Sequence, residues 1–342
     1  MSEALTARRA LVVGLGRSGL AAVRALVAAD VDVVAIEADE DVARAADLPD
    51  GVELETGAAG DAQVDATVDL MVPSPGVPES APLLQQALTR GVTVWSEPEL
   101  GWRLAPRRVV GVTGTNGKTT VTELVTAMLR ASGLAAAACG NIGAAFTEVA
   151  TTAPDDTILV AELSSFQLRF CERLRPEVGV LVNLAPDHLD WHGDLAAYEA
   201  AKARLWAAQR PSDWAVGNRD DPRASDLVRD NAPGRIAWAT VEGVPDAGVG
   251  VEGGHLVANL EGHGGRILAL DELQVTAPHQ ISNTAVAAAA ALAAGGSPEG
   301  VAAAARAFRP GRHRIEVVAV SDGITWIDDS KATNPHAAAA AL

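Results

Sequence analysis

The sequence predicts an α/β protein: two parallel-sheet domains, followed by the opening of a third. Two glycine loops carry this reading. Gly14-x-Gly16-x-x-Gly19 and Gly114-Thr-Asn-Gly117-Lys118-Thr119 each stand between a strand-like apolar run and an apolar pattern at helical spacing. The third observation is the alternation of such strands and helices along the 342 residues, the pattern of parallel sheets with helical crossovers. That length suits two or three domains, each with its own core. Their expected extents are 1–98, 99–310 and 311–342.

Composition narrows the function classes. Hydrophobic residues make up 48% of the chain and charged ones 21%, as in a soluble globular protein. A net charge of −17 argues against a nucleic-acid partner, and any anionic ligand must be held by local donors. Cys139 and Cys171 have no metal-type spacing and point to a reducing compartment without disulfides. Glycines and Arg17 interrupt the first apolar run, so it is not a signal peptide, and the run Ala285 to Ala294 is too short to span a bilayer. A cytoplasmic protein without membrane insertion is expected. The 27 basic residues are 24 arginines and three lysines, Lys118, Lys202 and Lys331. Lysine kept in so few places suggests positions where a compact ammonium, or an amine able to lose its proton, is required.

Taken in order, residues 10–36 read as strand, glycine loop, helix and strand, and Glu37 ends the second strand 18 residues past Gly19. This is the dinucleotide-binding fingerprint in its proper context. The glycines permit close approach of a pyrophosphate, which leaves nicotinamide, flavin and related nucleotides open. Glu37 suits a ribose hydroxyl or a base edge. Asp69 to Gly76 is a strand entering the turn Ser74-Pro75-Gly76 on the same sheet edge, a ligand turn or a plain loop. Polar, proline-containing chain at Glu97-Pro98-Glu99 marks the end of the first domain.

Val109 to Thr120 reads as strand, loop and helix, and such a loop turns its backbone N–H groups and the helix dipole towards phosphate. Lys118 then reaches the outer phosphates and the Thr119 hydroxyl a Mg²⁺ ion. The spacing departs from the common G-x-x-x-x-G-K-[ST] loop, because Val112 stands where that pattern has its first glycine. Thr157 to Phe166 is a strand that delivers Glu162, where a second acidic ligand for Mg²⁺ is expected. Val178 to Leu184 is a buried strand with Asp187 and His188 just past its end, which makes His188 a ligand candidate. Leu195 to Trp206 reads as a helix carrying Tyr198 and Lys202. Residues 242–265 look like exposed, glycine-rich hairpins. His279-Gln280-Ile-Ser-Asn283 opens an alanine-rich helix that Gly295-Gly296 closes. Past Pro310, Arg312-His313-Arg314 lead one strand, and Ile324 to Asp328 form another that runs into Asp329-Ser330-Lys331 and an alanine run. These last 32 residues read as the beginning of a domain whose remainder is absent.

Jointly the motifs are specific. GTNGKTT, Cys139-Gly-Asn141-Ile-Gly, Glu162-Leu-Ser-Ser-Phe-Gln, Asp187-His-Leu-Asp, Tyr198-x-x-x-Lys202, His313-Arg314 and Asp329-Ser-Lys331-Ala-Thr-Asn resemble those of the ATP-dependent Mur ligases of peptidoglycan synthesis. Gly14-Leu-Gly-Arg17-Ser18-Gly and Ser74-Pro-Gly look most like the D-glutamate-adding branch. The resemblance implies a Rossmann-like first domain that holds UDP, a central P-loop ATPase-type parallel-sheet domain, and the start of a truncated third Rossmann-like domain. It implies UDP contacts at Arg17, Ser18, Glu37, Ser74, Pro75 and Gly76, with Asn141 and His188 nearer the sugar. Gly114, Thr115, Asn116, Gly117, Lys118, Thr119 and Thr120 match the ATP phosphate loop. Gln280 and Asn283 match the adenine helix, where the family usually reads His-Asn and this chain reads His279-Gln280. Asp329 is expected near the ATP ribose.

The same resemblance implies two Mg²⁺ ions, one on Thr119 and Glu162 and one on His188 and Lys202, with Lys202 carrying a carbamate made from CO₂. Arg314 and Lys331 would face the terminal phosphate, and Lys331 and Thr333 the incoming amino acid. Lys118, Glu162, His188, Lys202, Arg314 and Lys331 form the implied catalytic set. The implied reaction joins D-glutamate to UDP-N-acetylmuramoyl-L-alanine: the L-alanyl carboxylate attacks the γ-phosphorus of ATP, and the amine then displaces phosphate from the acyl phosphate. Two anions must approach each other in the first step, which calls for cations. A monomeric enzyme is expected. The alternatives are another Mur ligase, or a non-catalytic fragment that binds UDP-sugar and ATP.

Overall fold

The structure, a computed structural model, describes residues 5–57, 64, 66–311, 313–314, 316–332 and 338. The N-terminal sheet contains β1 (Arg9–Val13), β2 (Asp32–Glu37), β3 (Glu53–Thr56), β4 (Leu70–Pro73) and β5 (Thr93–Val94). Their order is β3-β2-β1-β4-β5, all parallel, with α1 (Arg17–Ala28), α2 (Glu40–Ala45) and α3 (Pro82–Thr89) as crossovers. The chain leaves β1 towards β2 and returns to its other side as β4. A ligand crevice therefore opens beyond the C-terminal ends of β1 and β4, where Gly14 meets Ser74. Gly19 lets α1 seat on the first loop, since a Cβ there would lie 1.8 Å from the Gly14 carbonyl oxygen.

The segment at Glu97 differs from its reading as polar boundary chain. It forms α4 (Glu97–Leu104), with Pro98 in the first turn, where a missing N–H costs no helical hydrogen bond. Glu97 and Glu99 are both buried. The Glu99 carboxylate accepts the backbone N–H groups of Glu172, Arg173 and Leu174 and pairs with Arg103 at 2.6 Å. Glu97 accepts the Thr147 N–H, its other oxygen has no hydrogen-bond partner among the described residues, and burial pushes its carboxyl up to about 7. The polar residues face inwards because they cap chain from the following domain, and α4 binds the two sheets together.

The central sheet orders its nine strands β14-β13-β12-β11-β10-β9-β6-β8-β7. In chain order the elements are β6 (Val109–Thr113), α5 (Lys118–Ala131), β7 (Ala136–Gly140), α6 (Phe146–Thr152), β8 (Ile158–Glu162), α7 (Ser165–Arg169), β9 (Val178–Leu181), α8 (Leu189–His192) and α9 (Leu195–Ala203). A 3₁₀ turn, Arg204–Trp206, follows α9. Then come β10 (Trp214–Asn218), α10 (Pro222–Asn231), β11 (Arg235–Ala239), β12 (Gly248–Glu252), β13 (His255–Leu260), β14 (His263–Ala269), α11 (Pro278–Ala293) and α12 (Pro298–Ala307). Strands β6 to β12 pair in parallel, and β13 and β14 add an antiparallel edge. One face packs on α5, α11 and α12, the other on α6, α7, α9 and α10. Ala285 to Ala291 are fully buried, so small side chains let α11 lie close to the sheet.

The stretch expected as exposed hairpins extends this sheet instead. Val249, Leu256, Ala258, Leu260 and Leu268 point into the core while alternate positions face outward, the two-residue period of a half-covered edge. Past α12, β15 (Glu316–Ser321) and β16 (Ile324–Asp328) pair as a separate antiparallel ribbon with Val317, Val318, Val320, Ile324, Trp326 and Ile327 exposed. Arg312, Thr333 and Asn334 lie outside the described residues. Among the described residues no helix is long and apolar enough to cross a membrane.

Candidate active site

The phosphate loop starts where β6, flanked by β8 and β9, ends. Gly117 stands at φ 77° as the residue before α5, and a Cβ there would meet the Asn283 side chain of α11 at 2.7 Å. Asn183, just past β9, brackets the loop: its Oδ1 accepts the N–H groups of Thr115 (3.1 Å) and Asn116 (2.8 Å), and its Nδ2 donates to the Asn116 carbonyl. Sequence reading missed Asn183, although its place beyond a parallel strand was a usable signal. The Thr115 hydroxyl is buried against Ala185 and the Tyr198 hydroxyl, so this side chain braces the loop.

Two lysine amines converge on one oxygen. Lys118 Nζ donates to the carbonyls of Gly114 (3.0 Å) and Thr115 (2.8 Å), and the buried Lys202 Nζ donates to the same Gly114 carbonyl at 2.9 Å. Burial lowers the pKa of Lys118. Burial, and then the charge of Lys118, holds Lys202 well below the usual lysine range. Glu162 closes the other side at the end of β8. Its Oε1 accepts the Asn141 amide at 2.8 Å, while its Oε2 is buried with no hydrogen-bond partner among the described residues. An orphaned, buried carboxylate oxygen facing a cavity is a place where a cation ligand fits. Asn141 approaches so closely because Gly140, at φ 90°, carries no Cβ to strike the Glu162 carbonyl 2.4 Å away. His188 is left-handed at φ 52°, half exposed, with Nε2 at 3.7 Å from Asp187 Oδ2.

Two cavities meet over this group. The larger, about 700 Å³, runs from the phosphate loop and Glu162 to His279, Gln280 and Asn283, with Arg314, Asp329 and Lys331 on its far wall. The smaller, about 260 Å³, lies between Pro75 and Gly76 of the N-terminal domain and Ser164, Phe166, Tyr198 and Lys202. Lys118, Asn141, Asp187 and His188 line both. Asn218, Asp220 and Asp221 also line the larger one and were not foreseen.

The residues expected to hold UDP are less gathered. Arg17 reaches the Asn141 carbonyl at 3.4 Å, whereas Ser18 and Glu37 line neither of these cavities. Glu37 accepts the N–H groups of Leu15 (2.6 Å) and Asp39 (3.1 Å), and the Ser74 hydroxyl donates to the Gly14 carbonyl. The tight group of three potential metal ligands found among the described residues is elsewhere, His313, Glu316 and Asp328, where a 2.6 Å His313–Asp328 hydrogen bond already takes up the space.

A dinucleotide-type sheet joined across one cleft to a phosphate-loop sheet defines the class: an α/β nucleotide-binding enzyme. Residues 112–291 match the Mur ligase middle domain and residues 8–96 the Mur ligase MurD-like N-terminal domain. The UDP-N-acetylmuramoylalanine--D-glutamate ligase of Frankia casuarinae is 47% identical over 339 residues, covering 97% of this chain and 71% of that protein. The ligase of the same name from Pelotomaculum thermopropionicum is 41% identical, covering 100% and 76%. Among solved structures, the murein peptide ligase of Psychrobacter arcticus superposes with a TM-score of 0.58 at 19% identity, covering 94% of this chain and 72% of that one. The chain belongs to the Mur ligase family, and its first domain is of the MurD-like kind.

Proposed function

We propose that the chain is the ATP-dependent ligase that adds D-glutamate to UDP-N-acetylmuramoyl-L-alanine in the cytoplasm, with release of ADP and phosphate. One observation carries the reading: Lys118 and Lys202 share the Gly114 carbonyl on the wall between two cavities, beside a Glu162 oxygen without a hydrogen-bond partner among the described residues. The larger cavity suits ATP, with its base towards Gln280 and Asn283, its ribose towards Asp329 and its phosphates on residues 114–120. The smaller suits the end of the UDP substrate, whose carboxylate would arrive at the shared wall. Lys118 neutralises standing phosphate charge there, and Arg314 and Lys331 face it from the opposite side. Thr119 and Glu162 are the residues to hold one divalent cation, His188 and Lys202 a second; a bound Mg²⁺ supplies further neutralisation of the two anions.

Lys202 suits carbamylation because burial and a neighbouring ammonium favour its neutral amine, the form that adds CO₂. The amine of D-glutamate would enter from the side of Lys331, and Thr333, outside the described residues, is proposed beside it. The test is ADP and phosphate release from UDP-N-acetylmuramoyl-L-alanine, ATP, Mg²⁺ and bicarbonate, with and without D-glutamate. D-glutamate-dependent release is the expected result. Binding of the UDP substrate without release would leave a substrate-holding protein, and no binding at all would overturn the reading.

A further inference from the structure

One indole ties the smaller cavity to the N-terminal domain. Trp191 Nε1 donates to the Val77 carbonyl at 3.2 Å, and the Val77 N–H in turn closes the Ser74-Pro75-Gly76 turn on the Ser74 carbonyl at 2.9 Å. On its other side the Trp191 ring lies 4.7 Å from the Phe166 ring, and Phe166 lies 4.9 Å from the His188 imidazole. His192 stacks on Phe166 at 5.5 Å and fixes Ser165 through a 2.9 Å hydrogen bond, so the bridging ring is confined from a second direction. The Trp191 backbone N–H also donates to the His188 carbonyl at 3.1 Å. His188 sits in a left-handed conformation that a residue with a Cβ keeps only when its surroundings fix it.

A tryptophan that merely filled the interface would need only its area, and part of its area is spent that way, against Phe170 and the core of the N-terminal sheet. The indole N–H and the ring chain to His188 are specific, and they join a turn assigned to one ligand with a side chain assigned to another.

We propose that Trp191 is a positioning residue: it couples the Ser74-to-Val77 turn to His188, so that filling the UDP-sugar site and setting the imidazole for a divalent cation are one event. This rests on the ligase reading above. Coupling of this kind is reciprocal, so it is measurable from either ligand. The experiment is calorimetry on the 342-residue chain with Mn²⁺ as the cation probe, with and without saturating UDP-N-acetylmuramoyl-L-alanine. The ratio of the two Mn²⁺ affinities measures the coupling. In the unaltered chain it exceeds one. Trp191→Phe, which deletes the N–H, lowers it about fivefold, the worth of one hydrogen bond. Phe166→Leu, which leaves the indole bond but removes the ring bridge, lowers it as well. A purely structural role predicts lower melting temperatures with the ratio unmoved, and that result overturns the proposal, as does a ratio of one in the unaltered chain. A chain that binds no UDP substrate overturns the ligase reading itself.

Discussion

The chain carries two glycine loops built on one plan, strand to loop to helix, and their polar groups are used in opposite ways. Around Gly14 to Gly19 the side chains satisfy the loop itself: Glu37 accepts the Leu15 N–H and Ser74 donates to the Gly14 carbonyl. Around Gly114 to Gly117 the balance is incomplete, with two lysine amines on one carbonyl and a carboxylate oxygen without a hydrogen-bond partner among the described residues. An unpaired buried carboxylate oxygen destabilises a fold unless something binds it, and Glu162 lines the larger cavity, where a ligand can reach it. In the proposed ligase the first loop is a seat whose backbone would meet the UDP substrate. The second holds an electrostatic imbalance that phosphate and metal would relieve.

The largest break of this contrast is Lys118→Ala. It removes one of the two lysine amines, and ATP affinity by calorimetry is expected to fall roughly 10³-fold, as for truncation of a buried charge that meets an anion. A loss below tenfold would make the two loops alike. Next is Gly19→Ala, whose Cβ would fall 1.8 Å from the Gly14 oxygen; it is expected to cost about 3 kcal/mol or more in urea unfolding. Gly16 is the control within the same loop. An added Cβ there meets nothing within 4 Å and φ is −62°, so Gly16→Ala leaves stability within about 0.5 kcal/mol. If the UDP substrate sits on this loop as proposed, the substitution lowers substrate affinity about tenfold, because its methyl group would fill the ligand's space.

The carboxylate between the two regions gives a smaller effect with a definite sign. Glu97 titrates at about 7 in the folded protein against an ordinary 4.5. The unfolded chain thus loses this proton first, and the group's contribution to native stability, full at low pH, is lost as pH rises through that window, on the order of 2–3 kcal/mol. Glu97→Gln keeps an acceptor for the Thr147 N–H and removes the titration. Urea unfolding at pH 5 and pH 8 should therefore show the variant losing about 2 kcal/mol less than the unaltered chain between the two. Equal losses would place the titrating group elsewhere.

Both loops were legible in the sequence because each needs glycine at fixed offsets between two periodic runs, and that requirement is local. The three lysines were legible as unusual, and two of them share the Gly114 carbonyl while the third, Lys331, lines the larger cavity together with Lys118. What escaped is non-local. Asn183 reads as part of the strand 178–184 until β9 ends at Leu181 and leaves it beside the phosphate loop, and Glu99 reads as polar boundary chain until three N–H groups of residues 172–174 enclose it. Residues 242–265 read as exposed because glycines mask a two-residue burial period that only pairing with β12 reveals. The stretch 207–241 gave no reading at all, although β10 and β11 lie inside the central sheet.

The smallest change tests the contrast most sharply. The Ser74 hydroxyl is counted above as a brace, yet the family resemblance assigns Ser74 to the UDP substrate. Ser74→Ala deletes one hydrogen bond of 2.9 Å to the Gly14 carbonyl and leaves the carbonyl facing a methyl group. If the hydroxyl serves the loop, the variant loses about 1 kcal/mol in urea unfolding, while its affinity for the UDP substrate stays within about twofold of the unaltered chain. If the hydroxyl instead turns to the ligand on binding, the variant also loses affinity, about fivefold or more, because the bound state then lacks a hydrogen bond to the substrate. The first outcome makes backbone alone the ligand surface of this loop. The second would mean that the N-terminal loop, like the phosphate loop, keeps a side chain in reserve, and the opposition between the two would reduce to one of charge.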